Sequence, residues 1–252
     1  GKNSVFPPQI FGDTTNSKCP SLPTHSVRIV ETNKLVSSYS CPLVLDASSP
    51  IIQAGIADQN GWLKIISSES QALNGVFQSI TKLFKELNIK ISDVDAIFFC
   101  SGPGSTLGLR LTLACIKTIQ WERRNAIQLF SYNAMDLASR MTKEEPSFIQ
   151  APFRMGWRIV RTIEKQSKIG KKEILESKQA LDKYPDSLHL KDTRIQIPEI
   201  SDQNILEYQL DKINGLSDLL TVSEEKQDLT IYNPKPPQFK KWKPEIKFLA
   251  PE

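Results

Sequence analysis

Histidine is nearly absent from this sequence. His25 and His189 are the two present, and neither has a second histidine three to five residues away. A zinc hydrolase needs two or three histidines or a set of thiolates, so no resident metal and no cofactor is expected. Cysteine is also sparse. Cys19, Cys41, Cys100 and Cys115 contain no CxxC pair. Cys100 and Cys115 fall in apolar stretches and read as buried free thiols, which points to a reducing, cytoplasmic compartment. No apolar run approaches the roughly 18 residues that span a bilayer. No basic-then-apolar leader opens the chain, and no membrane association is expected. A strong charge of one sign is lacking too. The 32 Lys and Arg against 28 Asp and Glu leave a net charge of +4, well short of a dedicated nucleic-acid binder. Lysine-rich stretches at 165–172 and 240–247, the second holding Trp242, can touch phosphates. They read first as solvated charged faces.

What is present is the composition of an ordinary globular protein, with 252 residues, 39% of them hydrophobic and 24% charged. Residues 1–40 are rich in Pro, Ser, Thr and Asn and follow no period, apart from the strand-like "VRIVE". They are expected to form an extended N-terminal arm. Residues 41–142 are expected to form an α/β lobe. "PLVLDASS", "IIQAGIAD" and "WLKIISS" read as three strands, with "QNG" as a hairpin turn between the last two. Leu73, Val76, Ile80, Leu83 and Leu87 then recur at three- and four-residue spacing, widened by Phe77 and Phe84. That is an amphipathic helix. "AIFFC" is a strand covered on both faces. A helix from about 106, apolar around most of its circumference, follows it and should be largely buried. "AIQLFS" is a fifth strand and "YNAMDLASRM" a further helix. The order β-β-β-α-β-α-β-α is ribonuclease-H-like. Residues 143–252 are expected to form a smaller α+β lobe. In it "SFIQAPFRMGWRIVRTIE" reads as two strands around "RMG", "KQSKIGKKEILESKQALDK" has a helical stripe, "SLHLKDTRIQIPEI" looks like strands, and "NILEYQLDKINGLSDLL" looks helical.

Two local strings carry potential chemistry. In "SGPGSTLGLR", residues 101–110, Gly102, Pro103 and Gly104 break the strand, and Ser105 or Thr106 can cap the helix. Backbone N–H groups at a helix N-terminus can hold a phosphate or carboxylate. The string is neither a Walker A loop nor a dinucleotide fingerprint. The alternative is that the glycines permit a sharp turn and close packing. Gly108, inside the helix, costs roughly 1 kcal/mol against alanine, which a close backbone neighbour would account for. The second string is "LDASS". Asp46, Ser48 and Ser49 at the end of the first strand suit a nucleotide's metal or phosphates, or an Asx-type turn. Arg110, one turn into the helix, reads first as a tie between helix and strand and second as an anion contact.

"VLDASS…IIQAGIAD" followed by "ISDVDAIFFCSGPGSTLGLRLTLACIKTI" resembles the bacterial TsaB family, also called YeaZ. Gly102, Pro103, Gly104, Ser105, Gly108, Leu109 and Arg110 match its GPGS-x-x-GLR motif, and Asp95 matches at the head of the strand. The resemblance covers roughly 42–141, with an echo in "FIQAPFRMGWRIVRTI" and in the ending "EIKFLAPE". Thr106 and Leu107 stand where the family has Phe-Thr, and "SSESQAL" lacks the family's His-Ser-Glu string. The resemblance implies an actin-like, Hsp70-like ATPase fold and a non-catalytic subunit in the threonylcarbamoylation of tRNA adenosine. It implies dimerisation with itself or with a TsaD-like catalytic partner, a TsaE-like ATPase as third component, and tRNA contact only through the complex. Leu73, Phe77, Ile80, Phe84, Leu111, Cys115 and Thr118 are the expected interface. An actin-like nucleotide-binding enzyme using Asp46, Ser48, Ser49, Gly102, Gly104 and Ser105 is the alternative, and an M22-type peptidase a more remote one.

Overall fold

The computed structural model describes residues 39–124, 127–163, 169–191, 200–227 and 229. Residues 1–38 of the arm, with the VRIVE stretch, Cys19 and His25, residues 165–168 and 240–247, and the chain's ending lie outside the described residues.

Three strands, β1 (Pro42–Asp46), β2 (Ile52–Asp58) and β3 (Gly61–Ser68), form an antiparallel meander. Helix α1 (Ala72–Leu87) leads to β4 (Ala96–Cys100), which pairs parallel to β1. Helix α2 (Thr106–Glu122) leads to β5 (Gln128–Tyr132), parallel to β4. The resulting order 3-2-1-4-5 is that of ribonuclease H, as the sequence pattern requires. Strand β4 is an unbroken apolar run because helices cover one of its faces and the second core the other. Asp95 fixes its register: its carboxylate accepts from the Ser40 and Cys41 N–H groups ahead of β1.

Helix α3 (Ala134–Ala138) follows β5 and is capped by Asn133, whose side chain accepts from the Met135 N–H. A second sheet then begins with the β6 (Phe148–Arg154) and β7 (Trp157–Ile163) hairpin, turning at Gly156 with φ +75°. Its order is β10-β9-β6-β7-β8, with β8 (Ile169–Glu176), β9 (Leu188–Leu190) and β10 (Ile205–Leu206). The helical stripe expected across 165–183 is divided: β8 takes 169–176, and helix α4 is only Ser177–Lys183. The β7 edge needs a partner, and tertiary pairing overrides a weak helical period. The helix expected over 204–220 is likewise confined to α5 (Gly215–Val222). Ahead of it the chain makes β10 and a short 3-10 turn, Leu210–Lys212. Strand β11 (Ser223–Glu225) then pairs antiparallel with β5 at the edge of the first sheet.

The core has two parts. One lies beneath α1 and α2 and includes Leu43, Ile97, Phe99 and Ile116. The other lies on the opposite face of the first sheet, where Phe98, Tyr132, Met135 and Ile149 meet. Arg161 of β7 pairs with Asp136 of α3, fastening the second sheet to the first.

Strands β6, β7 and β9 bury a polar network. The Gln150 amide donates to the Ala180 carbonyl and to Ser187 Oγ, and its Oε1 accepts from Arg158. Arg158 Nη2 lies 3.0 Å from His189 Nδ1, so the imidazole is neutral there and accepts. Burial, and secondly the Arg158 cation, push the His189 pKa from 6.5 to about 4. Its stabilising contribution is therefore full above pH 6.5 and is lost as the pH falls towards 4. Thermal melts should show His189 withdrawing about 2–4 kcal/mol over that interval. His189→Asn should be less stable at neutral pH but should lack this part of the acid-induced loss.

Candidate functional site

The glycine turn and the end of β1 meet. Gly102 has φ +115°, a backbone region that favours glycine. Ser105 caps α2, its Oγ accepting from the Gly108 N–H at 3.3 Å. The Ser105 N–H donates to the Ser48 carbonyl at 2.7 Å. A Cβ added at Gly104 would collide with the Ser48 backbone, and one at Gly108 with the Ala47 carbonyl oxygen. The close neighbour expected for Gly108 is thus the backbone just after β1. Leu109 is buried. Arg110 is exposed and ties no strand to the helix: it has no ion-pair partner among the described residues.

Asp46 is buried, and its carboxylate already has four donors. Oδ1 accepts from the Ser48 N–H at 2.8 Å and the Ser48 hydroxyl at 2.6 Å. Oδ2 accepts from the Tyr132 phenol at 2.8 Å and the Tyr208 phenol at 2.7 Å. A carboxylate offers about four acceptor positions, and all are taken. Burial and the Asp46 charge push both phenols well above their ordinary range, so they remain donors. Ser49 Oγ donates to the Ile51 carbonyl. The six residues named for a nucleotide's metal and phosphates are therefore together in space, but the Asp46, Ser48 and Ser49 side chains already have hydrogen-bond partners within the protein. Beside them is a cleft of about 160 Å³, bordered by Ser49, Pro103, Ser105, Pro152, Lys191 and Tyr208. It is about half the lower limit of ordinary small-molecule pockets, and Lys191 is held by Glu207 at 2.8 Å. A metal-bound nucleotide does not fit this donor set.

Among the described residues the thiols offer no nucleophile. Cys41, Cys100 and Cys115 are free and buried. Burial pushes Cys41 and Cys115 up to about 11 and Cys100 well above its ordinary value, so all stay protonated at neutral pH. Tyr132 and Tyr208 were not marked by any local pattern, because each reaches Asp46 from a distant part of the chain.

The other candidate is the outer face of α1 and α2. Both helices follow strands of the same direction and pack against one another, so their N-termini share one end of the sheet. On α1, Leu73 is 56% and Phe77 45% exposed, while Phe84 is half-buried. On α2, Leu107, Leu111, Ala114, Thr118 and Trp121 alternate at spacings of four and three, which places them on one stripe. Leu107 is 62% and Trp121 82% exposed. Helix α2 is therefore not sealed inside, contrary to the burial expected from its composition. Ile80 and Cys115 are a correction of another kind. Both are buried in the core between helices and sheet, because they lie on the inward sides of their helices, and they cannot touch a partner. Leu107 and Trp121, absent from the expected interface, continue the stripe of Leu111 and Thr118 by one step at each end. Extending that spacing would have found them.

Residues 70–152 match the family model described as TsaD, tRNA N6-adenosine threonylcarbamoyltransferase. The matched segment contains α1, the glycine turn and α2. No curated protein matches the chain. Among solved structures the chain is similar to one described as an uncharacterised protein with similarity to peptidase YeaZ from Pseudomonas aeruginosa. That match has 17% identity and a TM-score of 0.52, and covers 77% of this chain and 99% of that one. YeaZ from Pseudomonas aeruginosa itself matches with 16% identity, the same coverage and a TM-score of 0.49. The chain is thus a YeaZ-like protein in fold, with a TsaD-type segment across its two exposed helices.

Proposed function

We propose that this chain is a non-catalytic scaffold subunit in threonylcarbamoyl modification of tRNA adenosine, docking a TsaD-like catalytic partner on its α1–α2 face. The observation that carries this reading is the pair of apolar stripes. Leu73, Phe77, Leu107 and Trp121 are large, apolar and exposed on adjacent helices, and apolar side chains exposed on one helix face serve association. The TsaD-type match over the same helices supports the pathway. In this reading a TsaE-like ATPase completes the assembly, tRNA is met through the complex, and the protein works in the cytoplasm. Among the described residues no helix is long and apolar enough to cross a membrane. The saturated Asp46 carboxylate counts against the nucleotide-enzyme alternative.

The test is co-purification of the full chain with a TsaD-like protein, together with an assay of the modified nucleoside. Wild type should bind and support modification. Phe77→Asp and Trp121→Asp should each weaken binding by about 30-fold or more, as at interface hot spots. Their melting temperatures should hardly change, since both side chains are exposed. A chain that ignores TsaD-like proteins and leaves modification unaffected ends the reading.

A further inference from the structure

Among the described residues the chain leaves the first sheet through α3, builds the second sheet, and returns after β10. Two lobes joined by such crossings can hinge open and shut about a cleft. The returning segment, residues 207–226, is also fastened to strands that lie away from either crossing. At the tip of β1 the Tyr208 phenol donates to Asp46 Oδ2 at 2.7 Å. On β2 the Leu210 N–H donates to Gln53 Oε1 at 2.8 Å, and both residues are buried. At the β2–β3 turn the Ser217 N–H donates to the Gln59 carbonyl at 3.1 Å. Trp62 Nε1, on β3, donates to the Ile213 carbonyl at 3.4 Å. Gly215, with φ +53°, lies directly on that turn, and an added Cβ would collide with the Gly61 and Asp58 carbonyl oxygens. The segment ends at the opposite edge of the same sheet, where β11 pairs with β5.

Between these ties the segment buries Leu210, Ile213, Leu216 and Leu219 in the second core. Releasing it would expose four apolar side chains and strip several buried polar groups of their partners, which is costly on both counts. The cleft beside Asp46 is bordered by Ser105 of the first lobe, by Pro152 and Lys191 of the second, and by Tyr208. Widening it means drawing Tyr208 away from Asp46. We infer that residues 207–226 are a clasp that locks the two sheets together through the chain's own contacts, so that the cleft opens only when the whole molecule unfolds. A hinged protein of two lobes is instead held shut by what binds between them. The clasp is independent of the docking reading above.

Hydrogen exchange of the full chain, followed segment by segment over a urea series, tests this. The segments to compare are β4 in the first sheet, β7 in the second, and residues 208–217 of the clasp. In the wild type all three should exchange through one opening, with protection factors within about threefold and a common urea slope. Gly215→Ala sets a Cβ against the Gly61 carbonyl at a positive φ. Gln53→Ala is the milder change, taking the acceptor from the Leu210 N–H, and serves if the first variant does not fold. Either should lower protection in β4, β7 and 208–217 by one common factor of about tenfold or more. A wild-type segment 208–217 that exchanges about tenfold or more ahead of β4 and β7 would show a cleft that opens without unfolding, and the inference fails. It fails equally if a variant frees 208–217 while β7 keeps its protection, or if neither variant loses protection anywhere.

Discussion

Gly108→Val should leave most of the chain unfolded, and Gly108→Ala should cost about 2–4 kcal/mol. The reasoning weighs two opposed effects. Alanine is the better helix former by about 1 kcal/mol, so in an open helix the change would stabilise. Here an added Cβ meets the Ala47 carbonyl oxygen. Both sides of that contact are backbone, so no rotamer change relieves it. Either α2 moves off the end of β1 or the β1 exit moves. Each motion disturbs the Ser105-to-Ser48 hydrogen bond and the packing of Leu109 and Leu113. Overpacking typically costs about 1–3 kcal/mol even where side chains can adjust, and this site has less room to adjust than most. Gly61→Ala is the control. Nothing lies within 4 Å of a Cβ there, so its unfolding midpoint should stay within about 0.5 kcal/mol of wild type. Urea titration of the three variants checks the expectation. A wild-type midpoint for Gly108→Ala would mean that the helix is not seated as described.

The second large effect is at Asp46. Asp46→Ala should destabilise by about 3–5 kcal/mol, because it strands two buried phenols and the Ser48 hydroxyl without their acceptor. Tyr208→Phe removes one donor and leaves the carboxylate three others, so about 1–2 kcal/mol is expected. The double variant should cost less than the sum of the two, since Tyr208 has no acceptor to lose once Asp46 is gone. The readout is stability, which separates an anchor from a ligand site. If Asp46 instead served a nucleotide's metal, its removal would leave stability nearly unchanged and abolish Mg-nucleotide binding. Tyr208 comes from the connection between β10 and α5, 162 residues from Asp46. The anchor thus joins the later part of the chain to the tip of the first sheet.

These two sites show where reading the sequence worked and where it stopped. The glycine turn was legible because its requirement is local. Gly102 needs a positive φ, and Gly104 and Gly108 need the absence of a Cβ; residue type reports both directly. The exposed stripe on α2 was partly legible. Its period is plain, but composition alone pointed to a largely buried helix, because nothing in one helix says which side the sheet covers. Ile80 and Cys115 lie close to the outward stripe in the helical repeat, yet the sheet beneath claims them.

The order of strands and helices from 42 to 141, the glycine bend and the free thiols followed from the sequence by itself, since hydrophobic period and backbone permissiveness are properties of neighbouring residues. The four donors on Asp46, the division of 165–183 between strand and helix, the network around His189 and the exposure of Trp121 were decided by tertiary structure. Each depends on which distant segment arrives to supply a donor, a pairing edge or a cover, and that is a property of the packed chain.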